Sequence, residues 1–231
     1  MGGLYYYGFD SLYLYLVVPA IIIALWSQIK VKTTFSKYSA CRTDISGADA
    51  ARRVLELNGV RGVKIERVSG NLTDHYDPRT NTIRLSDSVF DSYSISAVGV
   101  AAHEAGHAVQ YSKGYFPIKL RSFILPVCNL GSQLSLPLLI IGLIFNFYFL
   151  VKLGVLFFCG ALVFQLVTLP VEFNASSRAI AALKNGAVLL TDNDIKYTKK
   201  VLSAAAMTYV AAAFVSLAQL IRLIALTGRK R

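Results

Sequence analysis

Residues 153–171 read LGVLFFCGALVFQLVTLPV, a 19-residue stretch without a charged side chain. About 20 apolar residues are enough to cross the hydrocarbon core of a bilayer as a helix. Three other stretches are similarly apolar, at residues 12–26, 124–149 and 202–226. Because 55% of the 231 residues are hydrophobic, more than one soluble core needs, we predict a mainly helical α+β protein with about four transmembrane helices.

Charges beside the first apolar stretch predict its orientation. No Lys or Arg precedes it, and Asp10 does, so we interpret it as a retained anchor and not as a cleaved signal. Lys30, Lys32 and Lys37 follow it, and basic residues next to a span favour the cytoplasmic side. The N-terminus should then lie outside. Alternating crossings would place the basic residues 229–231 outside as well, against the charge rule, so the side of the C-terminus stays open.

The net charge of +11 bears on the class of partner. No basic patch is interleaved with aromatic residues as in a nucleic-acid-binding module, and much of the positive charge borders the apolar stretches. We therefore expect anionic lipid headgroups, and not nucleic acid, as the charged partner. Cys41, Cys128 and Cys159 are scattered without a C-x-x-C pair, which indicates neither a disulfide framework nor a thiolate metal site.

The polar segment of roughly residues 30–120 is long enough for a small folded domain. Apolar residues at helical spacing predict two helices, each with a capping side chain at its start and a glycine at its end. Their predicted limits are Thr43 or Ser46 to Asn58-Gly59 for the first, and Ser94 or Ser96 to Gly114 for the second.

Between these two helices, alternating apolar and polar residues predict extended segments at 63–67, 72–76 and 82–86. The last two are separated by Asp-Pro-Arg-Thr-Asn at 77–81, a composition that favours a turn. We therefore predict a β-hairpin and a short β-sheet.

The second helix carries His103-Glu104-Ala105-Gly106-His107. Because an α-helix turns once every 3.6 residues, His103 and His107 project from one face, a turn apart, and both imidazoles can bind one ion. Glu104 lies beside them, where its carboxylate can take a proton from metal-bound water. Zinc lowers the pKa of such a water to about 7, so the motif predicts zinc-assisted hydrolysis of peptide bonds.

A catalytic zinc ion needs a third protein ligand and an open position. The acidic residues after His107 are Glu172, Asp192 and Asp194. Two predicted crossings return Glu172 to the side of the histidines, directly after an apolar stretch where an unpaired carboxylate would be costly. We therefore predict Glu172 as the third ligand of one zinc ion, with pairing to Arg178 at the interface as the alternative. A structural zinc site would need a fourth ligand, and no cysteine or spare histidine lies nearby.

Three segments resemble the YugP-type membrane zinc metallopeptidases: LTDHYDPRT at 72–80, AAHEAGHA at 101–108 and TLPVEFNAS at 168–176. The resemblance covers essentially the whole chain, including KLRS at 119–122. It implies a bacterial or archaeal multi-pass neutral zinc peptidase with a small gluzincin-like catalytic domain. It also implies that Glu172 is the third metal ligand.

The chain is more distantly similar to the HtpX-like and CAAX-prenyl peptidases, in which an Asp typically follows the ligand Glu by four positions. Ser176 occupies that position here. A hydrogen-bonded partner orients a ligand histidine and fixes its tautomer. We expect this partner to come from elsewhere in the chain, with Asn174 as the candidate.

The predicted protein is a metalloendopeptidase of the cell membrane that cleaves membrane-associated or misfolded polypeptides at the cytoplasmic face. Glu104 is its predicted catalytic base. The predicted parts are an N-terminal transmembrane anchor (1–29), a cytoplasmic zincin-like catalytic domain (30–120), a transmembrane helical hairpin (121–169), a return segment with the third ligand (170–200) and a C-terminal membrane helix (201–231).

Substrate binding and oxyanion stabilisation need further groups. We expect an extended substrate to pair with an exposed strand edge, for which strand 82–86 is the candidate. His75 is the favoured oxyanion donor, with Tyr76 and Arg178 as the other candidates. Two other functions stay open: a site-2-like intramembrane protease, against which the polar ends of the His103 helix argue, and a non-catalytic metal-binding scaffold.

Overall fold

A computed structural model describes residues 11–188 and 190–228 of the chain. The protein is mainly helical with one small sheet, as predicted. Its elements are a π-helical turn Tyr13–Val17, α1 Val18–Ser39, α2 Gly47–Leu57, β1 Lys64–Val68, β2 His75–Asp77, β3 Thr82–Ser86, α3 Ile95–Ser112, α4 Phe116–Ile144, α5 Tyr148–Ala182, a π-helical segment Leu183–Ala187 and α6 Asp192–Gly228. Asp10 and the basic residues 229–231, which entered the topology prediction, lie outside the described residues.

The chain divides into two compact units. One contains the described residues of 1–28, 120–169 and 208–231, and the other contains residues 29–119 and 170–207. Helices α1, α4, α5 and α6 each contribute residues to both units.

The first unit is built from apolar helices. In the described part of the chain, four helices are long and apolar enough to cross a membrane, which confirms the predicted number: Tyr13–Ser39, Phe116–Ile144, Tyr148–Ala187 and Asp192–Thr227. Large apolar side chains on them face outward, as Phe123 does at 79% exposed. Such surfaces are expected where lipid replaces water as the solvent.

The α4 and α5 helices form a hairpin in this unit. Ser135 Oγ donates a hydrogen bond to the Gly154 carbonyl oxygen at 2.8 Å, and a Cβ at Gly154 would lie 3.0 Å from the Ser135 carbonyl oxygen. The predicted span 124–149 overran the turn between the two helices, because α4 ends at Ile144 and α5 begins at Tyr148. The turning residue Asn146 adopts a left-handed φ of 54°, but Phe-Asn-Phe carries no charge that hydropathy could detect.

The second unit contains the three-stranded sheet, in the order β1-β3-β2. β1 pairs with β3 in parallel, and β2 pairs with β3 in antiparallel fashion, which confirms the predicted hairpin. The prediction that strand 82–86 offers a free edge is wrong, because β3 is paired on both sides. Ile83 and Leu85 are fully buried, so this strand forms the centre of the sheet.

Helices α2 and α3 pack on this sheet and begin at capping serines. The Ser46 hydroxyl accepts the Asp49 N–H at 3.1 Å, and the Ser94 hydroxyl accepts the Ala97 N–H at 3.3 Å. Of the predicted candidates, Ser46 and not Thr43 caps α2, and Ser94 and not Ser96 caps α3. The core that joins these elements consists of small aliphatic side chains, among them Val54, Ile83, Leu85, Val98, Ala102, Val109 and Ala179. Through this core, α3 packs against the sheet with one face and against the 170–207 segment with another.

Candidate metal centre

Helix α3 brings the two predicted histidines together. The ring centroids of His103 and His107 lie 4.7 Å apart with an interplanar angle of 85°. His107 is 7% exposed, and small residues around both histidines let neighbouring elements come close. The spacing of four residues therefore produces the same-face arrangement that the helical repeat predicts.

Glu172 reaches the same point from helix α5. Its Oε2 lies 3.2 Å from His103 Nε2 and 3.6 Å from His107 Nε2, and the three side chains offer ligand atoms within 4.8 Å of one another. Two atoms that each lie about 2.0–2.2 Å from a tetrahedral zinc ion are roughly 3.3–3.6 Å apart. The glutamate-to-histidine distances fit this spacing, and two imidazoles with one carboxylate form a ligand set suited to zinc.

Gly106 permits the approach of the two helices that carry these ligands. A Cβ at this position would lie 2.7 Å from the Ala175 carbonyl oxygen and 3.3 Å from the Ala175 Cα. Ala175 follows Glu172 by almost one helical turn. The backbones of α3 and α5 therefore meet at the glycine between the two histidines, and any side chain there would separate them.

Ser176 is a hydrogen-bond partner of His103. Its hydroxyl lies 3.1 Å from His103 Nδ1, the nitrogen that faces away from Glu172. The expectation that Asn174 would replace the missing aspartate for this purpose is wrong, because the serine itself fills the role. A hydroxyl is shorter than a carboxymethyl group, and the close packing of α3 on α5 brings it within reach.

The second histidine is held by Gln110, which the sequence analysis did not identify. Gln110 is fully buried, and its Oε1 lies 3.0 Å from His107 Nδ1. Its Nε2 donates to the Val171 carbonyl oxygen at 2.8 Å and to Asn174 Oδ1 at 3.0 Å. Because both acceptors fix the orientation of the Gln110 amide, Gln110 Oε1 must face His107 and accept the proton of His107 Nδ1. The other ring nitrogen, His107 Nε2, is then left to bind a metal. The sequence signal for this contact was the position of Gln110 three residues after His107, because residues three apart on a helix are neighbours.

The electrostatic surroundings of His107 favour its charged form. Burial alone favours the neutral imidazole, but the hydrogen bond to Glu172 and the nearby carboxylates of Glu104 and Glu172 raise the pKa of His107 above its ordinary value. A metal ion that binds here must therefore displace a proton from this site.

Glu104 lies beside the histidines and is buried, at 8% exposed. Its charge acts on His107 and also on Asp74, which places the three groups in one electrostatic neighbourhood. Asp74 accepts the Ser86 N–H at 2.7 Å and is a second residue that the sequence analysis did not identify. Burial raises the pKa of Asp74 despite the Ser86 hydrogen bonds, and the Glu104 carboxylate raises it further.

The three candidate oxyanion donors are placed around the sheet and the end of α5. His75 is exposed on β2, with Nδ1 2.8 Å from the Thr73 carbonyl oxygen. The Tyr76 hydroxyl donates to Asn81 at 2.8 Å, and Arg178 Nε donates to Asn174 at 2.7 Å. Among the residues described, none of these three forms a hydrogen bond with the two histidines or Glu172. The role of His75 stays a prediction.

The amino-acid sequence is similar to a known protein family and to a curated bacterial protein. Residues 13–228 match the family described as "putative neutral zinc metallopeptidase". The chain is 45% identical over 222 residues to "putative membrane protease YugP" of Bacillus subtilis (strain 168), which covers 94% of this chain and 98% of that protein. No solved structure matches the chain significantly.

Proposed function

Because this chain belongs to the "putative neutral zinc metallopeptidase" family and is a membrane protein, we propose that it is a zinc-dependent endopeptidase. The observation that carries the proposal is the meeting of His103, His107 and Glu172, whose ligand atoms lie within 4.8 Å of one another, next to the buried carboxylate of Glu104. Three protein ligands with a neighbouring glutamate are what a catalytic zinc site requires, since one position stays open.

In this proposal His103, His107 and Glu172 hold one zinc ion. Bound zinc supplies Lewis acidity and lowers the pKa of a coordinated water toward 7. Ser176 and Gln110 orient the two imidazoles so that each keeps its Nε2 for the ion. Gln110 also bonds the backbone of α5, which fixes the helix that carries the third ligand.

Glu104 acts as the general base. It accepts the proton of the attacking water and delivers it to the amine that leaves when the peptide bond breaks. Its side chain is buried beside the two histidines, which keeps the carboxylate close to the position of the proposed ion. His75 is the proposed donor to the developing oxyanion, a role that requires substrate-bound geometry.

The proposed substrate is an extended, membrane-associated or misfolded polypeptide. β2 replaces β3 as the proposed docking strand, because in the described part of the chain β2 pairs only with β3 and has no strand on its other side. The Tyr76 ring on β2 lies 5.5 Å from the Tyr111 ring on α3, so this edge lies beside the helix that carries the histidines. Backbone hydrogen bonds to such an edge bind a chain without demanding a particular sequence.

The proposed location of the centre is the cytoplasmic face. The support is the group of lysines that follows the first apolar stretch, Lys30, Lys32 and Lys37, in the same unit as the histidines. Helix α3, which carries both histidines, is absent from the four candidate spans of the described chain, whereas a site-2-like protease carries its histidine motif inside a span.

Glu104→Gln tests the proposal against a metal-binding scaffold. The purified full-length variant should bind zinc as the wild type does and should lose peptide cleavage, because glutamine keeps the shape but cannot accept the proton. Mass spectrometry of membrane proteins from cells with either form should show cleavage products that the variant lacks. Glu56→Gln, at an exposed glutamate of α2, is the matched control and should cleave normally. A Glu104→Gln protein with wild-type cleavage would refute the proposal.

A further inference from the structure

A basic groove of about 470 Å³ lies between the C-terminal part of α1 and the N-terminal part of α6. Five exposed lysines line it, together with small and apolar residues, and we call it the lysine groove: Lys30, Lys37, Lys196, Lys199, Lys200, Thr34, Tyr38, Ser203, Ala204, Met207. None of these lining residues is acidic. Within residues 11–188 and 190–228, no carboxylate lies within 4 Å of the ammonium groups of Lys37, Lys196, Lys199 or Lys200.

The walls of the lysine groove are held together by aromatic packing. The Tyr38 and Tyr197 rings stack with centroids 4.9 Å apart and an interplanar angle of 24°. Tyr38 is 6% exposed and packs with the buried Val201 of α6. Lys37 Nζ lies 5.6 Å from the Tyr38 ring centroid, and Lys200 Nζ lies 5.9 Å from that of Tyr197. The groove is therefore formed before any ligand arrives, which lowers the entropy lost on binding.

The charge of the lysine groove selects an anionic ligand. Lysine ammonium groups are compact charges with three donors each, and phosphate is an anion that they bind well. Since all five groups carry the same charge, they repel one another until an anion is placed among them. A phosphate group satisfies several donors at once through its separate oxygens.

The position of the groove along its two helices indicates where that phosphate comes from. In α1 the lysines follow the apolar residues, and in α6 they precede them, so both helices turn from basic to apolar at the groove. Both are candidate membrane spans, and lysines at the end of a span lie at the depth of lipid headgroups. Ala204 and Met207 continue the lining toward the apolar part of α6.

We propose that the lysine groove binds an anionic phospholipid, with the phosphate among the lysines and an acyl chain along Ala204 and Met207. This ligand combines the two chemistries that the lining offers, whereas free phosphate would use only the first. The proposal is independent of peptidase activity, since none of the groove residues belongs to the candidate metal centre.

Native mass spectrometry of the full-length protein, released from nanodiscs with equal phosphatidylglycerol and phosphatidylcholine, tests the proposal. The wild type should retain phosphatidylglycerol selectively. The triple variant Lys196→Gln, Lys199→Gln, Lys200→Gln should lose this selectivity, because each lysine near an anionic surface contributes about fivefold to binding, or on the order of a hundredfold for three. Replacing the same three lysines by arginine should preserve it.

The matched control removes the same charge elsewhere. Arg53→Gln, Arg61→Gln, Lys64→Gln changes three exposed basic residues outside the groove and should keep wild-type selectivity. Equal losses in both glutamine variants would assign the effect to net charge and overturn the proposal, as would full retention in the groove variant. Displacement of the lipid by inorganic phosphate at equal concentration would assign the groove to a free anion and overturn the lipid source. Zinc content reports folding, and if it falls in the triple variant, Lys199→Gln alone should still lower selectivity about fivefold.

Discussion

Gly106 separates the two histidines of the candidate metal centre, and Gly106→Ala tests whether close helix contact assembles the site. The added Cβ would lie 2.7 Å from the Ala175 carbonyl oxygen, whereas ordinary contact begins at 3.4 Å. The helices must therefore separate by about 0.7 Å, since the obstacle is backbone and cannot rotate away. A metal ligand set tolerates deviations of only about 0.2 Å. We expect zinc affinity to fall by about 10–100-fold.

Chelator competition on the purified full-length protein measures this affinity. The matched control is Gly160→Ala on α5, the helix of Glu172, where a new Cβ would lie 4.0 Å from Cys128 Sγ. In both helices alanine is intrinsically better than glycine by about 1 kcal/mol, so propensity predicts stabilisation at both sites. The contact with Ala175 predicts instead that Gly106→Ala loses zinc affinity while Gly160→Ala keeps it. Zinc affinity within threefold of wild type in Gly106→Ala would refute the reasoning.

Three further predictions address the groups around the ligands. Gln110→Leu should lower zinc affinity about 10–100-fold in chelator competition, because His107 loses the acceptor that orients it, and an unchanged affinity would contradict this role. His75→Ala should reduce turnover in a peptide-cleavage assay while zinc content stays normal, and either a loss of zinc or unchanged turnover would exclude the oxyanion role. Zinc affinity should fall about tenfold per pH unit as pH drops below the raised pKa of His107, which exceeds the ordinary value of about 6.5, because the ion must then displace a proton. A flat affinity profile by calorimetry between about pH 5.5 and 6.5 would contradict that displacement.

Periodic features of the sequence predicted much of the fold. Local residue patterns predicted the four apolar helices, the hairpin turn at 77–81 and a pair of candidate caps for each of α2 and α3, of which Ser46 and Ser94 are the caps observed. The limits of the long helices were harder to predict, because hydropathy detects only their apolar parts. Helix α6 begins at Asp192 and not at residue 202, since its first turns carry charged side chains, two aspartates followed by three lysines, that lower the local hydropathy.

Contacts between distant segments were predicted less well. The place of β3 at the centre of the sheet depends on a parallel partner, β1, whose pairing no local pattern reveals. The grouping of His103, His107 and Glu172 was predictable because few acidic residues follow the histidines and the crossings could be counted. The hydrogen bonds of Ser176 and Gln110 were not, because they depend on how closely α3 approaches α5 at Gly106.

Helix α5 runs unbroken from Tyr148 to Ala182, and Glu172 lies on it only two residues after Pro170. Leu169, the last residue of the apolar stretch in the first unit, lies only three residues before Glu172 on the same helix. Hydrophobic helices tilt to match the thickness of the surrounding lipid. We therefore expect bilayer thickness to affect the proposed zinc site through α5, with Pro170 as the position where the helix can bend.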